Sequence, residues 1–309
     1  MAKEITISDI LDETRQELIQ HGTTEFPIAA YMEDLLNVPI YWHWHKELEF
    51  GVITEGEGIV AMDNKQYRLK KGDFFYYNTE VLHAGWATGS TPVTGHYIVV
   101  HPRLIGGSIE SVFWQKYLLP IMENHSLKGF VLQETDPDRD RFVELSERIW
   151  HACNNKEPGY EFRVRNDLSE LVYLIHQHSH MGYSTMPERG QRDENRIKNM
   201  VAYVQEHYSE DISLEQLAEC ANISESECLR CFKRVTGITP IQFIKQFRIQ
   251  RAQTLLALST EKIVDIAIQC GFQDMSYFAK TFQKHCGCTP TEFRKKTFEA
   301  SLEANGNLK

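Results

Sequence analysis

Two hydrophobic rhythms divide the chain. Between residues 40 and 100, short apolar runs alternate with turn residues, giving candidate strands at 40–44, 48–53, 58–62, 74–77 and 94–100. Asp63-Asn64 and Lys71-Gly72-Asp73 supply turns. Several short strands at this spacing predict a β-barrel or jelly roll. Residues 110–181 then read as helical. Phe142, Leu145 and Ile149 recur at helical spacing, as do Leu168, Leu171, Val172 and Ile175. Such stripes serve either packing on the barrel or a dimer seam.

From residue 195 on the helical rhythm repeats itself. Shifted by 50 residues, Ser226 falls on Ser276, Arg230 on Lys280, Phe232 on Phe282, Gly237 on Gly287, and Thr239-Pro240 on Thr289-Pro290. Each copy reads as two short helices and a tight turn. In the first, Ser213 with Gln216 and Ser224 with Glu227 form capping boxes, and Gly237 ends the second helix. Thr239-Pro240 opens a connecting helix at 241–258. In the second copy Asp274 caps a helix that Gly287 stops. A helix-turn-helix can lay its second helix in a major groove of double-stranded DNA. The outward candidates are Ser226, Leu229, Arg230 and Lys233 in the first copy, and Met275, Ser276, Tyr277 and Lys280 in the second. Arg and Lys suit guanine edges and phosphates. A plain helical bundle with solvated charges would not need matched caps and matched cations in both copies.

Residues 195–296 resemble the DNA-binding domain of the AraC/XylS family of bacterial transcription regulators. The resemblance rests on Leu217-Ala218, Ser224, Arg230, Phe232-Lys233, Thr236-Gly237, Arg248, Ile266-Ala267, Gly271-Phe272, Tyr277-Phe278, Phe282, Gly287, Thr289-Pro290 and Phe293-Arg294. It implies seven helices, with helix-turn-helix motifs at about 214–235 and 263–285 and recognition helices in successive major grooves. It also implies a homodimer, and RNA polymerase as a partner where the regulator activates. Cys228 stands where the family usually has Leu, Leu229 holds a position that often carries a polar reader, and Gln283 replaces the usual Lys.

Charge sharpens the division. The 309 residues carry −10 overall, but residues 1–191 hold 17 Lys/Arg against 28 Asp/Glu, and residues 192–296 hold 15 against 13. An acidic front and a mildly basic rear fit an anionic partner for the rear. The segment 183–192 contains Pro187 and Gly190 without an aliphatic run, so a linker is expected at 186–194, between a sensor at 1–185 and the DNA-binding domain at 195–296. Residues 297–309 read as a polar tail. No membrane-length apolar run or signal-peptide layout is present, and seven cysteines without scaffold spacing suit a reducing compartment, so a cytoplasmic location is expected.

The front half also holds His43-x-His45-x3-Glu49 and, further on, His83. Histidines at i and i+2 share a strand face, and Glu49 and His83 on neighbouring strands can complete a site for a divalent metal such as Zn, Mn, Ni or Fe. The spacing is similar to the two motifs of the cupin superfamily, the first matching better than the second, where Asn78, Glu80 and Ala87 depart from it. Cupin-like sensors joined to AraC-type domains often bind a small molecule without metal, so no cofactor is required. A polar effector pocket using these residues is the first expectation and a metal the second. Trp42, Trp44, Phe50, Tyr76, Tyr77, Trp86 and Tyr97 surround the motif, as core or as stacking faces for a carbohydrate. His176, His178 and His180 end a helix and read as solvated rather than as a metal site, Cys228 and Cys231 read as fillers of apolar slots, and Cys286 and Cys288 bracket a helix-stopping Gly, with no zinc or redox role expected of either pair.

The expected molecule is α+β and multidomain: an N-terminal cupin-like β-barrel with flanking helices, then an all-α tandem helix-turn-helix domain. Its expected work is effector-responsive transcription regulation, activation being the commoner mode, and not catalysis. The competing class is a metal-dependent cupin enzyme, an isomerase or dioxygenase, with a helical appendage.

Overall fold

The computed structural model describes residues 21–62, 64–89, 91–179 and 188–297. Its first part is β-rich. The strands are β1 (Ile28–Asp34), β2 (Ile40–His43), β3 (Leu48–Glu55), β4 (Glu57–Met62), β5 (Lys65–Lys70), β6 (Phe74–Tyr77), β7 (His83–Ala87), β8 (Thr94–Val100) and β9 (Gly129–Leu132). They form two antiparallel sheets, β1-β8-β3-β6-β9 and β2-β7-β4-β5. The expected β domain followed by an all-α domain is what the chain adopts.

Four strands lie outside the expected set, each for a physical reason. β5 is an edge strand whose sequence, KQYRLK, leaves only Leu69 buried, so apolar alternation is nearly absent. β7, HAGWA, is short and carries a buried histidine. β1, IAAYMED, leaves one residue buried. β9 interrupts the stretch expected to be helical over 110–181. It is a four-residue apolar run, too short for periodicity to decide, and pairing with β6 fixes it as strand.

Around β9 the chain forms α1 (Arg103–Gly106), a π-helical turn at Trp114–Leu118 and α2 (Leu119–Met122). The long helices α3 (Arg139–Asn155) and α4 (Tyr160–Ser179) follow. Their stripes, Phe142, Leu145, Ile149, Leu168, Leu171, Val172 and Ile175, are buried against Leu48, Phe50, Val52, Phe74 and Ile98 of the five-stranded sheet. Packing within the chain therefore takes up the stripe that could have served as a dimer seam. It also explains why β3 is buried along both faces.

The second part comprises α5 (Glu188–His207), α6 (Leu214–Cys220), α7 (Glu225–Val235), α8 (Pro240–Leu258), α9 (Ile263–Gln269) and α10 (Met275–Cys286), with a last helix, α11, at 290–297. Helix α5 begins inside the segment expected to be a linker. Ser213 and Gln216 form a reciprocal capping box on α6, as do Thr239 and Gln242 on α8. Ser224 caps α7 one-sidedly, since Glu227 turns its side chain to Arg230. Asp274 caps α10. Gly237 and Gly287, matched in the repeat, both hold φ above +70° after a recognition helix, where a side chain would be strained. The copies differ inside the turn. Ile223 N–H donates to Ala218 O and Phe272 N–H to Ala267 O, an offset of one residue less than that between the caps Ser224 and Asp274, so the second turn is a residue longer.

The two parts share buried surface. Trp42, Trp44, Ala61, Leu82 and Ala84 of the four-stranded sheet join Ile197, Met200, Val201 and Val204 of α5 and Phe243, Ile244 and Phe247 of α8 in one apolar cluster.

Candidate functional site

Two places in the molecule concentrate chemistry. The first is the pair of recognition helices, α7 and α10. On α7, Cys228, Cys231 and Phe232 face inward and are fully buried, leaving Ser226, Leu229, Arg230 and Lys233 exposed on the opposite face. On α10, Phe278, Thr281, Phe282 and Cys286 are buried while Ser276, Tyr277 and Lys280 are exposed. Met275 is the exception among the eight. It is half-buried and packs against the apolar cluster that includes Phe278. Arg230 donates from Nε and Nη2 to the Glu227 carboxylate, at 3.1 and 2.5 Å. Lys245 lies 5.1 Å from the Tyr277 ring centroid, adding a cation beside the second recognition helix. Arg234 and Arg196 both pair with the buried carboxylate of Asp193, tying α7 to α5.

Cys228 and Cys231 fill apolar slots. Burial pushes their thiols up to about 11 and about 12, which makes the thiolate needed for metal or redox chemistry scarce. Cys286 is likewise buried.

The second place lies between the sheets. His43 on β2, His45 just beyond it, Glu49 on β3 and His83 on β7 each bring one ligand atom within 4.8 Å of the others. His45 Nε2 and His83 Nε2 lie 2.9 and 3.1 Å from the same oxygen, Glu49 Oε2. The far nitrogen of every ring is anchored to the main chain: His43 Nδ1 to Tyr41 O at 2.8 Å, His45 Nδ1 to Glu47 O at 3.2 Å and His83 Nδ1 to Val81 O at 2.7 Å. All but half-buried His43 are buried. Burial alone would push the Glu49 carboxyl up. The imidazoles of His83 and His45 outweigh it and hold the carboxyl well below the usual carboxylate range.

Strand register explains what else faces this point. Glu49 is opposite Tyr77, and Gly51 is opposite Tyr97, which is in turn opposite Tyr31. Directly opposed residues point to one face, so three phenols share the Glu49 face. Tyr77 stacks on His83 with centroids 4.2 Å apart. The buried Tyr97 hydroxyl has no hydrogen-bond partner among the described residues. The aromatic residues near the motif therefore divide. Tyr77 and Tyr97 face the cluster, Trp42 and Trp44 turn away toward the helical part, and Phe50 and Tyr76 pack under α3 and α4. Period-two alternation separates Trp42 and Trp44 from His43 and His45, but Tyr31 came from a strand the apolar pattern did not reveal.

Of the weaker histidines, His176 lies beside the Tyr117 ring and His178 against Phe130. His180 lies outside the described residues. No helix among the described residues is long and apolar enough to cross a membrane.

Both regions match known family models: an AraC-like ligand-binding domain over residues 39–169 and a helix-turn-helix domain over 217–296. An uncharacterized HTH-type transcriptional regulator of Bacillus subtilis, YdeC, is 26% identical over 290 residues, covering 93% of this chain and 98% of that protein. The HTH-type transcriptional activator RhaR of Salmonella dublin is 24% identical over 254 residues, covering 82% and 86%. Among solved structures, ToxT of Vibrio cholerae with an unsaturated fatty acid bound is similar at a TM-score of 0.47 and 12% identity, over 86% of this chain and 94% of that one. With a ligand-binding domain in front, a tandem helix-turn-helix behind and full-length relatives that are transcription regulators rather than enzymes, the chain belongs to the AraC family of DNA-binding transcription regulators.

Proposed function

We propose that the protein is an effector-responsive activator that binds DNA as a homodimer. The observation that carries this reading is the pair of exposed recognition helices with a cation at the same slot in each, Arg230 and Lys280. Ser226, Leu229, Arg230 and Lys233 enter one major groove, and Ser276, Tyr277 and Lys280 the next, with Met275 seated at the edge of the core behind them. The relative named an activator supports the sign of regulation, and RNA polymerase is then the further partner. Work on chromosomal DNA places the protein in the cytoplasm.

The effector is a small polar molecule seated on the face shared by the histidine cluster, Tyr31, Tyr77 and Tyr97. A carbohydrate fits phenol hydroxyls and ring faces of this kind. The domain boundaries follow as a sensor at 1–185 and a DNA-binding part at 195–296, with α5 bridging them. A reporter driven by the protein's own operator tests this reading. His45→Ala should abolish the response to effector while chromatin immunoprecipitation still finds the operator occupied. A His45→Ala protein that responds like the wild type contradicts the pocket assignment.

A further inference from the structure

We infer that Glu227 sets the base preference of the first recognition helix, by holding the Arg230 side chain off the DNA backbone until a G·C pair is offered. This rests on the reading of α7 as a helix that lies in a major groove.

Glu227 is the third residue of α7. A glutamate there can reach back to the main-chain N–H of the cap and complete a capping box. Glu227 gives up that bond and accepts instead from Nε and Nη2 of Arg230. The cap does not need its side chain. Glu227 N–H donates to Ser224 Oγ, and at the matched slot of the second copy Tyr277 N–H donates to Asp274 Oδ1. The main chain does the same work in both copies, while only the first sets a carboxylate three residues before its outward cation.

The carboxylate is fixed from behind. Its other oxygen, Oε1, lies 3.7 Å from Arg234 and 4.0 Å from Arg196. Both guanidiniums are themselves held by the buried Asp193. The Glu227 side chain is 16% exposed and that of Arg230 62%. The fork can therefore swing away while the carboxylate stays, with two cations still beside it. An ion pair with one partner this open to water is weak enough to exchange.

What the fork exchanges for decides the sequence. A phosphate is another anion, so moving to it gains Arg230 little and leaves Glu227 facing the negative backbone. A G·C pair serves both partners: guanine O6 and N7 accept from the fork, and the cytosine amino group donates to the vacated carboxylate. The N-terminal part of a recognition helix is where base edges are reached. Without Glu227, the exposed Arg230 would pair with phosphates at any sequence and add non-specific affinity.

The test titrates the full-length chain, at several salt concentrations, with three kinds of duplex: the one it enriches from a random library, the single-base variants of that duplex, and an alternating A·T duplex that offers no guanine. For Glu227→Gln, binding to the A·T duplex should tighten about three- to tenfold and its salt slope steepen by about one, while preference at the base pair that Arg230→Ala relaxes falls by about threefold or more. Glu225→Gln removes the same charge from an exposed residue of the same turn. It should tighten all duplexes alike and leave the preference intact. In an Arg230→Ala background, Glu227→Gln should no longer change the preference. Should Glu227→Gln fail to fold, Glu227→Tyr, which copies the matched slot of the second repeat, takes its place with the same expectation. An unchanged preference in the folded variant overturns the inference, as does a change that persists without Arg230 or that Glu225→Gln reproduces. Preference lost in Arg230→Ala but kept in Glu227→Gln would remove only the role of Glu227. Arg230→Ala binding every duplex like the wild type would remove the groove reading, and the role of Glu227 with it.

Discussion

Arg230 and Lys280 occupy one slot of the repeat but differ in chemistry. The Arg230 fork already rests on Glu227, so reading a guanine means exchanging a carboxylate for a base edge, a bidentate geometry that Arg suits. Lys280 is exposed and flexible, better matched to phosphate. Arg230→Ala should cost about 1–3 kcal/mol on the cognate site and relax preference at one base pair. Lys280→Ala should weaken all sequences alike and reduce the salt slope by about one. Titrations against single-base operator variants at several salt concentrations separate the two, and swapped outcomes would reverse the assignment. The thiols give a second test. Burial pushes Cys228 to about 11 and Cys231 and Cys270 to about 12, so at pH 8 nearly all stay protonated and shielded. Mass spectrometry after native iodoacetamide treatment should find these three unmodified, and rapid labelling would refute their burial. Individual site residues were legible wherever alternation or helical spacing was strong: His43 with His45, and Arg230 two residues before inward Phe232. Tyr31 was not, because only one residue of its strand is buried. The repeat predicts an outward Met275, yet it packs partly inward at the start of α10.

At the scale of elements, β2 serves two sites at once. One face presents His43 to the cluster. From the same strand the Trp42 carbonyl accepts from Gln205 of α5 at 2.6 Å, and the Trp42 ring lies 6.1 Å from Phe243 of α8. Tyr41 bonds Thr254 of α8 at 2.7 Å, and Lys198 of α5 sits 4.0 Å above Trp44. A shift of β2 on ligand binding would therefore move the seat of the DNA-binding helices directly. Trp42→Ala should cost about 3–5 kcal/mol in chemical denaturation of the full chain, the range for emptying a large aromatic site. Trp42→Phe should cost clearly less, because it removes an indole N–H that is buried without a partner among the described residues. Equal losses in the two variants would show that the ring does not fill this junction. Caps and helix stops were readable from sequence because Ser213, Thr239 and Gly287 act locally. Strands β5 and β9 were not, since an edge strand needs little apolar alternation and a four-residue run has no measurable period.

For the molecule as a whole, the order of parts was legible: a β-rich sensor first, then a duplicated helical unit with a more basic balance. Their joint burial was not, because Trp42 and Val201 belong to one cluster only once the chain has folded, and no local pattern in either half announces the other. The stripe on α3 and α4, open from sequence to two uses, is taken by the five-stranded sheet. The repeat should place two readers on one duplex. Selection of random-sequence duplexes by the purified full-length chain would reveal both readers at once. Enrichment of a bipartite motif is expected, its two elements about one helical turn apart, with one element degraded by Arg230→Ala and binding to all sequences weakened by Lys280→Ala. A folded protein that enriches no motif at low salt, or one whose enriched motif is untouched by both substitutions, would contradict it.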